Sequence, residues 1–103
     1  MMHYKLNEKN EPVECSIDEW GIESESRVLK RTEIGKVSVS TVFLGIDHGY
    51  GGVILLWETM IFGGRRDQWQ TRYSTYDQAK VGHERVVAEM TAPWYAKLMR
   101  IFK

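Results

Sequence analysis

Four side chains in this sequence have the types that acid–base or metal chemistry uses: Asp47, His48, Glu58 and His83. Asp47 and His48 lie in a glycine-rich loop, 47–52, with Tyr50 beside them. Glu58 stands in an apolar run with Leu56, Met60 and Phe62, where a charge needs a partner or a purpose. Carboxylates and imidazoles together are the donors of hydrolytic metal sites and of general acid–base pairs. The spacing argues the other way. No HExxH or CxxC pattern is present, so the expected metal set and the expected cofactor set are both none. There is no nucleophile elbow, and Ser38 and Ser40 alternate along one strand face, as solvated serines do. A metal-assisted hydrolase built on Asp47, His48, Glu58 and His83 is therefore the alternative reading, and no catalytic residue is assigned.

A structural use accounts for two of the four. Ala79, His83, Val86 and Met90 recur at helical spacing, so His83 belongs to an apolar stripe turned toward the sheet. Gly82 beside it permits a close helix–sheet approach. Glu58 and His83 are expected to meet as a buried pair, each satisfying the other and together fixing how the helix docks.

Outside that pair, the candidates for ligand or partner contact are Asp47, His48, Tyr50, Trp57, Arg65, Arg66 and Trp69. Gly51-Gly52 and Gly63-Gly64 bracket the central strand, and Arg65-Arg66 follows the second pair. Backbone N–H groups beside arginines suit a phosphate. Neither pair matches a phosphate loop or opens a helix, so ordinary turn chemistry is favoured. Trp57 is expected on the face opposite Glu58, with Trp69 on the neighbouring strand as a cross-strand aromatic partner. Aromatic and arginine side chains together, when exposed, make interface hot spots or base-stacking platforms.

The elements that must position these residues follow from pattern and punctuation. Strands at 3–6 and 12–15 flank the polar turn Asn7-Glu8-Lys9-Asn10 as a short hairpin. Ser16 with Glu19 is a capping box opening a short helix from 17 to about 24, weakened by Gly21. Strands are expected at 27–34, 37–46, 53–62 and 68–73, with turns at 35–36 and 63–67. Thr75 with Gln78 is a second capping box, for a helix from about 76 to 91, and Pro93 ends that helix or begins a new one. The fold class is α+β: an antiparallel sheet of three to four strands with one long helix on a face. Short N- and C-terminal helices complete it. Residues 1–91 make a single domain. Residues 92–103 make an amphipathic helix for packing or oligomerisation, with Trp94, Leu98, Ile101 and Phe102 as the expected homo-oligomer contacts.

Bulk properties narrow the function classes. The chain has 103 residues, one domain's worth, and 43% of them are hydrophobic, enough for one core. Fourteen basic and fourteen acidic residues give a formal net charge of zero, which disfavours general nucleic-acid binding. Cys15 is the single cysteine and can form no internal disulfide, in keeping with a reducing cytoplasm. No apolar run reaches spanning length and the N-terminal stretch is too polar for a signal peptide, so no membrane partner is expected.

The strings TEIG (32–35), VSTVFLGIDH (39–48), GG (51–52), WETMIFGG (57–64) and RYST (72–75), with Ala79, Gly82 and His83, resemble a group of small phage and prophage proteins of unassigned function. The resemblance spans roughly residues 32–90 and leaves out the tail from Thr91. It implies a host-cell cytoplasm and an accessory role. The leading reading is a non-enzymatic binder that inhibits a host factor, such as a defence component, or sequesters a small, nucleotide-like ligand. A structural virion component is the second alternative.

Overall fold

The computed structural model of the chain describes residues 2–22, 27–47, 49 and 51–91. β1 (His3–Leu6) and β2 (Pro12–Cys15) pair antiparallel as their own two-stranded sheet. The Asn7 side chain organises the turn between them, its Oδ1 accepting from the backbone N–H of Lys9 at 2.9 Å and of Glu11 at 3.0 Å. Such Asx bonding is why asparagine favours turns. α1 (Ile17–Ile22) opens on its capping box: Glu19 N–H donates to Ser16 Oγ at 3.2 Å. The indole of Trp20 anchors this short helix, donating to the Leu44 carbonyl at 3.2 Å. The Arg27 guanidinium lies over the Trp20 ring, 3.9 Å from its centroid.

The main sheet is an antiparallel meander in the order β3 (Val28–Ile34), β4 (Val37–Phe43), β5 (Trp57–Phe62), β6 (Gln70–Tyr73). α2 (Tyr76–Thr91) lies across one face. Its N-terminus is capped as the pair Thr75 and Gln78 requires: Gln78 N–H donates to Thr75 Oγ1 at 3.1 Å, and Gln78 Oε1 accepts from Ser74 N–H at 3.0 Å.

Register decides which side chains meet α2. Val39 pairs with Ile61, Thr41 with Thr59 and Phe43 with Trp57. These residues share the helix-facing side. Val39, Ile61, Val86 and Met90 form one core cluster, and Phe43, Leu56, Trp57 and Ala79 form a second. Strand alternation sends the intervening residues Ser38, Ser40, Glu58, Met60 and Arg72 to the far side. Tyr4 and Leu6 of β1 pack against the second cluster, and Tyr4 N–H donates to the Gly45 carbonyl at 2.7 Å, so the hairpin is tied to the end of β4.

The α+β class, the antiparallel sheet and the single long helix match the pattern of the sequence. Three expectations change. The hairpin forms a second, two-stranded sheet where a single sheet was expected. The central strand is shorter, beginning at Trp57 instead of 53, because Asp47 holds residues 49 and 55 together across the loop. Trp69 precedes β6 and lies against Ile61, while Trp57 is opposite Tyr73 in register, so the two tryptophans are not cross-strand partners. The expected C-terminal helix, with Trp94, Leu98, Ile101 and Phe102, lies outside the described residues. Among the described residues no helix is long and apolar enough to cross a membrane.

Candidate ligand-binding site

Glu58 and His83 do not meet. Glu58 projects from the face away from α2, where its Oε2 accepts from Arg72 Nε at 2.9 Å. Arg72 is its register partner on β6. His83 lies fully buried on the other side, between the sheet and its own helix. Its Nε2 is 2.9 Å from Thr32 Oγ1 and its Nδ1 is 2.7 Å from Thr41 Oγ1. Thr41 Oγ1 in turn lies 2.5 Å from Thr59 Oγ1. A neutral imidazole offers one donor and one acceptor, which two hydroxyls can match. Burial pushes the imidazole below its ordinary pKa; the Glu84 carboxylate opposes that shift and the Lys30 ammonium adds to it. The two residues are apart because strand alternation turns position 58 away from the helix that presents position 83.

Asp47 is engaged as well. Asp47 Oδ1 accepts from Gly49 N–H at 2.8 Å and from Leu55 N–H at 3.1 Å, closing the loop. His48 and Tyr50 lie outside the described residues. Among the described residues no group of three or more His, Cys, Asp or Glu side chains is placed to hold a metal ion. Asp47, Glu58 and His83 cannot converge on one ion, since the last two lie on opposite faces of the sheet.

The glycine–arginine turn is partly engaged within the fold. Gly63 N–H, one of the donors a phosphate would need, donates to Asp67 Oδ1 at 2.7 Å. The Arg66 guanidinium lies over the Trp69 ring, 4.6 Å from its centroid, and its Nη1 is 3.5 Å from Glu89 Oε2. Arg65 sits in the same turn and has a partner of its own. Trp69 is half-buried against the first core cluster.

Trp57 has the least expected setting. It is 0% exposed, so it is no surface platform, and it packs against Phe43 with ring centroids 5.1 Å apart. Its indole N–H is buried and has no hydrogen-bond acceptor among the described residues. A buried donor without an acceptor costs on the order of 1–3 kcal/mol and is rare in native proteins. Trp57 also lines two hollows where the hairpin faces the start of α2. One, of about 600 Å³, is bounded by Lys9, Glu11 and Pro12 of the hairpin and by Thr75 and Asp77 at the helix start. The other, of about 210 Å³, is bounded by Leu6, Arg27, Leu29 and Phe43. Asn10 and Tyr76 line both.

Sequence pattern singles out Trp57 but not its unpaired N–H, nor Asn10 and Tyr76 as neighbours. The hairpin and the start of α2 are more than sixty positions apart, and only the docking of β1 on β4 brings them together. Arg72 was legible: a hairpin centred on Arg65 places position 72 opposite position 58. No protein family, curated protein or solved structure matches this chain.

Proposed function

We propose that this chain is a non-enzymatic binding protein that sequesters a small ligand in the cleft between the N-terminal hairpin and the start of α2. One observation carries the reading: the buried Trp57 indole N–H lacks an acceptor at a place where two hollows adjoin the same ring. Ligand sites are concave and carry fixed polar groups, and this cleft is concave, with Asn10, Thr75 and Asp77 beside the Trp57 and Tyr76 rings. The resemblance to small phage and prophage proteins supports an accessory role in a host cell, exercised by holding a ligand or by blocking a host factor that needs it. The engagement of Asp47, Glu58 and His83 in separate internal contacts favours binding over hydrolysis.

Native mass spectrometry of the full chain purified from producing cells tests this. The expected spectrum shows a bound small molecule that is diminished in Trp57→Phe. A bare polypeptide mass for both proteins would sink the reading.

A further inference from the structure

The two edges of the main sheet differ. β3 closes one side and carries Lys30, Arg31 and Glu33, with a register irregularity between Val28 and Lys30. Charges and bulges of this kind discourage further pairing. β6 closes the other side in unbroken register, and its one charge, Arg72, is held by Glu58. Among the described residues no strand pairs with the outer side of β6. Ile61 N–H donates to the Trp69 carbonyl and Leu56 N–H to the Tyr73 carbonyl, both at 3.0 Å, so positions 69, 71 and 73 turn their backbone polar groups toward β5. Alternation leaves the N–H and C=O of Gln70 and Arg72 directed outward. Beside this edge lies an open groove of about 390 Å³ between Tyr73 and α2. Asp77, Val81 and Arg85 line it at intervals of about one helical turn. Val81 is 59% exposed, and Asp77 and Arg85 have no side-chain partner among the described residues.

We propose that this edge receives a second copy of the chain, β6 against β6 in antiparallel sense, with the two-fold axis at Thr71. That register sets Gln70 of each copy opposite Arg72 of the other, and each such pair exchanges two N–H···O bonds. An axis at Arg72 would oppose two arginines, and an axis at Gln70 would set Arg72 against the turn residue Gln68. On the helix side the axis at Thr71 places Trp69 of each copy opposite Tyr73 of the other, a cross-strand aromatic pair on either side. The helix obeys the same symmetry. Two residues of strand back from Tyr73 cover about 6.6 Å, and five residues of helix on from Tyr76 cover about 7.5 Å, so Val81 stands about level with Thr71. An axis passing beside Val81 exchanges Asp77 with Arg85, the two unpaired and opposite charges. An isologous interface has to be self-complementary, and this surface is so in backbone, ring and charge pattern. The zero net charge of the chain adds no overall repulsion between copies.

Sedimentation equilibrium of the full chain over a concentration series tests this, a single copy being 12.0 kDa. The expected mass is twice that value. Gln70→Pro removes an N–H that points outward, so the β5–β6 ladder keeps its own bonds. It should raise the dimer dissociation constant at least about tenfold, with circular dichroism and the urea midpoint reporting that the fold is kept. Thr71→Cys in a Cys15→Ser background tests the register. Position 71 would face its own copy as a non-hydrogen-bonded pair, about 4.5 Å between Cα atoms, within disulfide reach. Mild oxidation should therefore crosslink it into a covalent dimer. A single-copy mass at every concentration would overturn the proposal. A dimer that folded Gln70→Pro leaves at full strength would also overturn it, since another surface would then hold the copies together. Dissociation by Gln70→Pro without a crosslink at position 71 would overturn the axis at Thr71. If Gln70→Pro fails to fold, the crosslink alone decides: its presence supports the pairing and its absence overturns it.

Discussion

Arg72 donates from Nε to Glu58 Oε2 at 2.9 Å, across neighbouring strands on the face away from α2. Glu58 is 8% exposed, so loss of Arg72 leaves a nearly buried carboxylate without its charged partner. Arg72→Met is expected to destabilise the chain by about 1–3 kcal/mol, the cost of a stranded buried polar group. Arg72 is itself partly solvated, which keeps the effect toward the lower end. Urea denaturation of Glu58→Gln, Arg72→Met and the double variant should show coupling above about 0.5 kcal/mol. Glu58→Gln combined with His83→Gln should be additive within about 0.5 kcal/mol, because the sheet separates the two side chains. Strong coupling in the second pair and none in the first would overturn the assignment of faces.

His83 makes stability depend on pH in a defined direction. Burial holds the folded imidazole below its ordinary pKa, so the unfolded chain takes up a proton first as the pH falls. The contribution is fully present above about pH 6.5, the unfolded value, and is lost as the pH falls through the lower folded value. Within that window the slope approaches about 1.4 kcal/mol per pH unit. The Lys30–Glu84 ion pair, 2.6 Å long, contributes the nearby charges, one from β3 and one from α2. His83→Gln should remove this slope and leave the acid limb below the carboxylate range. An unchanged profile below pH 6.5 in His83→Gln would show that the imidazole does not titrate in this way.

At Gly82, α2 lies directly against the Tyr73 side chain of β6. A Cβ there would run into the Tyr73 ring and hydroxyl. Gly82→Ala should therefore destabilise, overpacking costing about 1–3 kcal/mol against a helix-propensity gain of about 1 kcal/mol. Tyr73→Ala removes the obstacle. In that background Gly82→Ala should become neutral or stabilising, and thermal melts of the four proteins decide it.

Much of the architecture is legible because its signals are local. The capping residues Ser16, Glu19, Thr75 and Gln78 make the hydrogen bonds their spacing implies. Strand parity is also legible: Trp57 and Glu58 do face opposite ways. Which face α2 would cover is not, since both faces of 53–62 are largely apolar in sequence. With α2 on the opposite face His83 would meet Glu58 instead of the threonines, and the face that the helix covers sets every partner on the strand. The cleft at Trp57 was hidden for another reason. It depends on where an autonomous hairpin docks, and periodicity within an element carries no information about that.

Asp47 offers the sharpest separation between loop architecture and ligand chemistry. Its Oδ1 accepts from Gly49 N–H and Leu55 N–H, the contacts that fasten the start and end of the loop before β5. Asparagine keeps an Oδ1 acceptor in the same place, whereas alanine has none. If closure of the loop is the role of Asp47, Asp47→Asn should stay within about 1 kcal/mol of the parent while Asp47→Ala loses about 1–3 kcal/mol. Amide hydrogen exchange at Leu55 should accelerate in Asp47→Ala and change little in Asp47→Asn. A metal-ligating carboxylate behaves differently, because the neutral amide is the poorer ligand. Equal loss of stability in both variants, restored by added zinc in the parent alone, would replace the architectural role with a metal-binding one.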